Sequence, residues 1–327
     1  MLQFLRLGLI LLLTGCSFLE SKPLSRDLHS PGGSLAAAIS SDGSVSVVSG
    51  ASQDVSVWDL STGKKRFHWR HQGGATNLVV SLDISYDNSY VVTSDREAFG
   101  LWNLQTGEPE GLWRIDESSI RDIAVADNGR GILVGRGNGK VMFFEPQTGR
   151  RLEFLGHSEK INSVALSPNG HYALTGSNDY VAYLWDTRTG QVIYSFTHPS
   201  RVTKVALDPE GRYAFTADSQ KLARIWDIKT GKEISNLHYF ERQKIFSSAR
   251  FSKDGRYLLT GSPARRIDLW QVSSGKNLQE WRVAPKEGPA PQSAVVYAVG
   301  FLADNNVISE SSSGLAEVWP LENHLNE

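Results

Sequence analysis

The sequence is poor in cysteine and balanced in charge, and each feature excludes something. One cysteine among 327 residues cannot form an internal disulfide, so packing and chain closure must hold the fold together. Lysine and arginine number 34 against 35 aspartate and glutamate, which gives a formal net charge of −1. Because no overall basic excess attracts nucleic acid, we expect no nucleic-acid partner.

The sequence also lacks the motifs that mark most catalytic and metal sites. It contains no Gly-x-Ser-x-Gly elbow, no cysteine–histidine pair and no run of alternating aspartate ligands for calcium. The glycine-rich segment 135–140 has neither the spacing of a phosphate loop nor a helix after it, so we interpret it as a turn. His68 and His71 would point to opposite faces of a strand. We therefore expect no catalytic residue, no metal, no cofactor and no enzymatic activity.

Long apolar runs are absent too, and the longest one stands at the N-terminus. The leucine- and isoleucine-rich run from Leu7 to Leu13 is too short to cross a bilayer as a helix and fits the core of a secretory leader. After it, Leu13-Thr14-Gly15-Cys16 resembles the lipobox of bacterial lipoproteins, in which the cysteine thiol receives diacylglycerol. The resemblance implies a signal peptide over 1–15, lipidation of Cys16 and a lipidated tether over 16–21.

This resemblance also implies a location. By the sorting rule of bacterial lipoproteins, Ser17 after the cysteine implies the outer membrane, with the chain anchored on its periplasmic face. Several acyl chains on one residue give stable anchoring, whereas a single chain binds only marginally. One alternative stays open, namely a cytoplasmic protein whose apolar start is accidental.

What the chain has in abundance is repetition. Segments such as "SVWDLSTG" at 56–63 and "YLWDTRTG" at 183–190 recur every 41 to 49 residues around an aromatic anchor. Each unit carries four short strand patterns and a tight turn whose residues tolerate positive φ. This period predicts an all-β fold, a seven-bladed β-propeller of four-stranded antiparallel blades. The anchors are Trp58, Trp102, Phe144, Trp185, Trp226, Trp270 and Trp319.

Blade 4 is the clearest unit, and it carries His157, Thr175, Asp179 and Trp185. This polar set and the repeat rhythm resemble the WD40 repeat family, in which these four side chains form a hydrogen-bonded chain within one blade. Blade 5 departs from the pattern, because Gln220 stands where Asp179 would be. The resemblance therefore implies a propeller whose polar network is incomplete.

The resemblance covers roughly residues 22–321 and leaves a C-terminal tail over 322–327. Too few residues follow Trp319 for a fourth strand and its turn. The segment 22–29 precedes the first inner strand and places Leu28 where Phe196 stands in blade 4, with Leu24 on the same face. We predict that this segment completes blade 7 and closes the ring, which removes exposed sheet edges.

This closure predicts an orientation. In the WD40 family the outer strand runs from the bottom face of the ring to the top face, so the closing strand would begin at the bottom. Its start lies six residues from Cys16, and six extended residues span at most ~20 Å. We therefore expect the bottom rim to face the bilayer and the top face to be free.

Two groups of residues depart from the repeat and are candidates for function. The middle positions of the inner strands should line the central channel, and five of the seven are small: Ala38, Ala124, Ala165, Ala206 and Gly300. Asp83 and Arg250 break this rule. They either reach channel water or form a polar site for a small anion or a partner's side chain.

The second group lies in the predicted top-face loops. Tyrosine, phenylalanine and arginine are enriched at binding hot spots, and the proline-rich loop 284–292 presents a surface at reduced entropic cost. Recurring basic residues on one face suggest an acidic partner, although ordinary solvated loops remain the alternative. The candidates are Arg96, Arg136, Tyr239, Phe240, Arg242, Arg265, Arg266 and Lys286.

Two functions follow from these features. The sequence favours a monomeric, non-catalytic scaffold, anchored to the outer membrane, that binds an envelope protein or peptide through its top face. The alternative is a small-ligand-binding or enzymatic propeller that uses the channel around Asp83 and Arg250, which the fold permits. The scaffold is favoured because no cluster of acids or histidines recurs at matched blade positions.

Overall fold

A computed structural model describes residues 22–51, 54–70, 78–239, 245–286, 288 and 292–322. Cys16, His71, Phe240 and Arg242 lie outside the described residues. The described chain consists of strands and turns, with one 3₁₀ turn at Asp127–Gly129. It confirms the predicted all-β fold.

In chain order, the strands are β1 (Ser25–Leu28), β2 (Ser34–Ile39), β3 (Val45–Gly50), β4 (Asp54–Asp59), β5 (Lys64–Arg70), β6 (Ser81–Ile84), β7 (Tyr90–Ser94), β8 (Ala98–Asn103), β9 (Pro109–Arg114), β10 (Ile120–Val125), β11 (Ile132–Arg136), β12 (Val141–Phe144), β13 (Arg151–Phe154), β14 (Ile161–Leu166), β15 (Tyr172–Ser177), β16 (Val181–Asp186), β17 (Val192–Thr197), β18 (Val202–Leu207), β19 (Tyr213–Asp218), β20 (Ala223–Asp227), β21 (Glu233–Asn236), β22 (Ser248–Phe251), β23 (Tyr257–Gly261), β24 (Arg266–Gln271), β25 (Asn277–Arg282), β26 (Val296–Phe301), β27 (Val307–Ser311) and β28 (Leu315–Trp319).

These strands form seven four-stranded antiparallel sheets, the blades of a ring. Blades 1 to 6 take four consecutive strands each, from β2–β5 to β22–β25, and run from the channel outward. Blade 7 has the order β26-β27-β28-β1, so its outer strand comes from the other end of the chain. We call the face with the turns between second and third strands the top, and the face with the turns between first and second strands the bottom.

The first turn of every blade confirms the predicted hairpin chemistry. One residue in each turn has a φ between 57° and 73°, a left-handed conformation that glycine and asparagine adopt most readily. Five of the seven positions are glycine and two are asparagine. The residue types at these positions are therefore the ones that the sequence pattern predicted for such turns. The seven residues are Gly43, Asn88, Gly129, Gly170, Gly211, Gly255 and Asn305.

Apolar side chains between neighbouring blades form the core. At the first four blade interfaces an aromatic residue of the outer strand packs against the anchor of the next blade: Phe154, for example, stacks on Trp185 with ring centroids 4.5 Å apart, and Phe196 stacks on Trp226 at 4.4 Å. Such stacked pairs contribute about 0.5–1.5 kcal/mol beyond their burial. The blades are therefore joined laterally by side chains, because the strand-to-strand hydrogen bonds stay within each sheet.

The closing strand pairs where the sequence predicted, but its packing residue is a different one. β1 runs antiparallel to β28, with Leu28 opposite Leu315, which confirms ring closure. Leu24 and Leu28 are exposed, at 60% and 54%, so their expected packing is wrong. Instead His29 stacks on Trp58, with ring centroids 4.4 Å apart and planes within 6°. His29 takes the role that an outer-strand aromatic plays elsewhere in the ring.

The seam between blades 7 and 1 is more polar than the other blade interfaces. Its apolar cluster holds five buried residues, whereas the other clusters hold eight or more. Glu310 of β27 is fully buried here, and its Oε1 lies 2.6 Å from His29 Nδ1 and accepts a hydrogen bond from Ser46 Oγ at 2.6 Å. A buried charge needs such partners, since an unpaired one is strongly destabilising.

Smaller neighbours leave room for this buried glutamate. The strand register places Glu310 at the position of Gly176 in blade 4, where an added Cβ would lie 2.6 Å from Val202 of the next blade. In the blade that follows Glu310, the position of Val202 is occupied by Ser34. At this seam, polar contacts replace the apolar contact found in blade 4. We call the contacts of Glu310 with His29 and Ser46 the polar lock, since they join the two ends of the chain.

Candidate functional site

The predicted partner-binding residues that the structure describes lie on the top face, and they differ in how accessible they are. Arg96 is exposed in the turn between β7 and β8, and Lys286 is exposed in the connection between blades 6 and 7, where its Nζ donates to the carbonyl of Gly32 at 3.1 Å. Both can contact a partner. Arg136 cannot, because its side chain is only 3% exposed.

Burial of Arg136 corrects its place among the exposed cations. Its guanidinium contacts the carboxylates of Glu153, on β13, and Glu117, in the connection before β10. Lys140 pairs with Glu117 as well, at 3.2 Å, and this ion pair and the one with Arg136 hold the pKa of Glu117 below its usual value. The charges of this sector are neutralised internally.

Tyr239 and the two arginines of blade 6 are half-buried. The ring of Tyr239 lies edge-on to Trp270, with centroids 6.3 Å apart, so it packs against the core. Arg266 pairs with Asp268 at 3.2 Å and with Glu280. Arg265 donates from Nε to the carbonyl of Val283 at 2.9 Å, and its side chain is partly accessible at the top. Of these three, Arg265 is the best placed to meet a partner.

The top side of blades 4 to 7 carries basic residues, of which the sequence singled out only some. We define the basic arc as the five residues that lie in top-face turns and connections, and none of them forms an ion pair with another described residue. Glu159 is an exposed acid beside this arc. Lys160 and Arg201 lie in connections between blades. A single basic residue in such a connection is common, so the sequence offered no reason to select these two. The arc consists of Lys160, Arg201, Lys221, Arg265 and Lys286.

The polar set of blade 4 is structural. His157 Nδ1 lies 2.8 Å from Asp179 Oδ2, and His157 Nε2 lies 2.9 Å from Thr175 Oγ1. Burial opposes ionisation of Asp179, but the hydrogen bonds from His157 and from backbone N–H groups outweigh it and lower the pKa of Asp179. Trp185 Nε1 has no hydrogen-bond partner among the described residues, so the fourth link of the family's chain is missing.

Blade 5 has a fuller network than its sequence indicated. His198 Nε2 lies 2.8 Å from Thr216 Oγ1, which also accepts from Trp226 Nε1 at 2.8 Å. Asp218 supplies the carboxylate that Gln220 lacks, with its Oδ2 3.5 Å from His198 Nδ1. The acid sits two residues earlier than in blade 4, and sequence alignment to blade 4 therefore missed it. Each histidine ties the connection in which it lies to the second strand of the following blade or the turn after it, so both have structural roles.

The bottom end of the central channel contains a cavity of about 270 Å³, and both channel candidates line it. Asp83 accepts a hydrogen bond from the backbone N–H of Val125 at 3.0 Å. Arg250 donates to the carbonyls of Ile39 and Ser40, at 2.5 and 2.8 Å, and so reaches from blade 6 to blade 1. The structure thus brings the two residues to one cavity.

Burial is the main cause of the pKa shifts of Asp83 and Arg250 in this cavity. Burial raises the pKa of Asp83 to about 6, with the nearby Asp122 carboxylate acting in the same direction and Arg250 opposing. Burial likewise lowers the pKa of Arg250, against the attraction of Asp83. The charged form of each group is therefore disfavoured relative to water, because protein atoms replace part of its hydration.

Comparison with known families agrees with this architecture. The model of the family described as WD domain, G-beta repeat, matches residues 149–186 and 190–227. Each match runs from the end of one blade to the third strand of the next, over β13–β16 and β17–β20. With the seven-bladed ring, these matches support the WD40 propeller family. No curated protein matches the chain closely enough to name a relative.

A WD40 propeller suggests a protein-interaction scaffold, and two further observations bear on its site. Within the described ranges, no group of three or more histidine, cysteine, aspartate or glutamate side chains could hold a metal ion. In the same part of the chain, no helix is long and apolar enough to cross a bilayer. His68, one of the two histidines considered in the sequence, contacts Asp54 at 3.1 Å.

Proposed function

We propose that the protein is a non-catalytic scaffold, anchored by lipid to the periplasmic face of the outer membrane, that binds an acidic envelope protein or peptide through its top face. The basic arc carries this proposal. Its five basic residues have no ion-pair partner in the described part of the chain, whereas those around Glu117 and Glu153 are already paired. Complementary charge steers a partner to this face and fixes its orientation.

The direction of the closing strand supports the free top face. β1 pairs antiparallel with β28, so it begins at the bottom rim and ends beside the top-face turn at Gly314. The lipobox-like sequence places Cys16 six residues before Lys22, a distance of at most ~20 Å. A lipid on Cys16 would hold the bottom rim near the bilayer and leave the basic arc facing the periplasm.

The docking surface is tested by charge reversal. Lys221→Glu with Lys286→Glu reverses two charges of the arc, and Lys229→Glu with Lys276→Glu makes the same change at exposed bottom-face positions. A photo-crosslinking residue at Arg265 in the living cell should trap an envelope protein in the wild type and in the bottom-face control. We expect the top-face variant to lose the adduct, because acidic groups then meet acidic groups. Equal trapping in all three would refute the surface.

The anchor is tested separately. Cys16→Ala should move the protein from the membrane fraction to the soluble periplasmic fraction and abolish incorporation of labelled palmitate. Cys16→Ser replaces only the sulfur atom and should behave in the same way, because a hydroxyl does not take the place of the thiol. If fractionation and gel mobility stay unchanged in both variants, the protein is not a lipoprotein, while the top-face experiment still stands or fails by itself.

A further inference from the structure

Acidic and basic residues around the channel cavity come from different blades. The acids Asp83 and Asp122 come from the inner strands of blades 2 and 3. The basic residues Lys204 and Arg250 come from the inner strands of blades 5 and 6, and Lys253 lies in the bottom turn that follows. These blades lie on opposite sides of a seven-membered ring, so the strands of one wall carry acids and the strands of the facing wall carry bases, while the Arg250 guanidinium itself extends to the carbonyls of Ile39 and Ser40 in blade 1.

Asp83 and Arg250 attract each other across the cavity but form no direct ion pair. Among the described residues, no carboxylate lies within 4 Å of the Lys204 or Arg250 nitrogens, and no base pairs with Asp83. The space between the walls is left open by small lining residues in the same register, such as Ala124 of blade 3 and Ala165 of blade 4. Half-buried charges without a counter-charge are unfavourable, and a ligand that supplies both signs would relieve both walls.

We propose that this cavity binds a small zwitterion of the amino-acid class. The ligand's ammonium group contacts Asp83 on the acidic wall, and its carboxylate contacts Arg250 and Lys204 on the basic wall. A volume of about 270 Å³ suits a molecule of this size, and a few polar groups converging in a cavity are typical of small-molecule sites. The site lies at the bottom of the channel and is separate from the basic arc.

Arg250 is suited to a carboxylate even though it is already hydrogen-bonded. A guanidinium has five N–H donors, and the contacts to Ile39 and Ser40 use two of them. Those two contacts fix the plane of the group, so the remaining donors meet a ligand without further loss of side-chain freedom. Lys204 adds a second cation with no hydrogen bond to another described side chain.

The proposal also predicts a pH dependence. Asp83 must be ionised to hold an ammonium group, and its pKa is about 6. Affinity should therefore fall as the pH is lowered from 7 to 5. The other titratable groups that face the cavity are Asp122, Tyr86, Lys204, Arg250 and Lys253.

The test is a calorimetric titration of the full mature protein in detergent with ω-amino acids of increasing length. The probes are glycine, β-alanine, 4-aminobutanoate and 5-aminopentanoate, with pentanoate and pentylamine as single-charge controls. One chain length should bind with a Kd below about 10 mM, and both single-charge controls should bind about tenfold more weakly, since each loses one charge-assisted contact. Equal affinities across the series, or no saturation with any probe, would overturn the proposal.

Two substitutions then locate the bound zwitterion. Asp83→Asn keeps an oxygen that can accept from Val125, and Lys204→Gln removes no described contact, so both variants should fold. Each should weaken binding of the best probe about tenfold, while Lys229→Gln on the bottom rim should leave it unchanged. Wild-type affinity in both cavity variants would contradict the assignment. The top-face variant Lys221→Glu with Lys286→Glu should retain zwitterion binding, which separates this site from the docking surface.

Discussion

The polar lock at the seam predicts a non-additive pair of substitutions. His29→Phe would restore an outer-strand phenylalanine stacked on Trp58, as Phe196 stacks on Trp226 between blades 4 and 5. By itself, however, it leaves the Glu310 carboxylate with Ser46 as its hydrogen-bond donor in a fully buried position. Glu310→Met replaces the carboxylate with an apolar side chain of similar volume.

The expected magnitudes follow from these contacts. Removing one partner of a buried hydrogen bond leaves the other group unsatisfied and costs about 1–3 kcal/mol, so His29→Phe should lower the free energy of unfolding by up to about 3 kcal/mol. Glu310→Met leaves an imidazole without its acceptor and should cost about 1–2 kcal/mol. The double variant has neither orphaned group, and its free energy of unfolding should lie within about 1 kcal/mol of the wild type.

The assay is urea unfolding followed by tryptophan fluorescence, with the four proteins compared as a double-mutant cycle. An interaction energy of about 3 kcal/mol between the two positions supports the lock. Simple additivity, with the double variant the least stable of the four, would refute it. The matched control is Phe196→Leu in the apolar interface of blades 4 and 5, which should destabilise but show no coupling to Glu310→Met.

Three further changes test other parts of the structure by urea unfolding. Asp83→Asn should stabilise the protein by up to about 3 kcal/mol at pH 7, because the folded pKa of Asp83, about 6, lies above its usual value of 3.8. The stability of the wild type therefore falls as the pH rises from about 4 to about 6, and the stability gained by the substitution vanishes near pH 4. Asp179→Asn should cost about 1–2 kcal/mol at pH 7, because a lowered pKa gives stability that is present above pH 4 and is lost as the pH falls through the folded pKa. Gly314→Ala should cost about 2–4 kcal/mol, since its φ is 85° and an added Cβ would collide with the carbonyl of Ser30.

The ring was predictable from sequence because its determinants are local. Asn169-Gly170 fixes a turn within one hairpin, and the anchor aromatic recurs with the blade, so neither depends on distant residues. The closing strand was predictable by counting, but its packing was not. A count of residues leaves the register open by one, and a shift of one residue turns Leu28 to the opposite face. The contact of His29 with Glu310 joins residues 281 positions apart, so no local sequence pattern predicts it.

The sequence alone also does not predict which basic residues of the top face are accessible to a partner. A basic residue in a turn is expected to be exposed, and this holds for Arg96 and Lys221. It fails for Arg136, the last residue of β11, because Glu153 on the outer strand of the same blade and Glu117 in the connection before β10 both reach its guanidinium. Whether a surface cation is available to a partner thus depends on acids that are distant in sequence, and only the assembled ring shows which cations remain unpaired.

The position of the seam lock bears on how a tethered ring stays closed. In the proposed lipid-anchored form, any pull from the membrane enters β1 at its bottom end, near Lys22. It would first meet the backbone bond from Leu24 to Val318 and the exposed side of the Arg26–Glu317 pair, both near that end. The buried contact of His29 with Glu310 lies at the far, top end of the strand, beyond the backbone pairs. Fraying near the tether can therefore leave the ring closed, because the buried contact of His29 with Glu310 is the last one that the pull reaches.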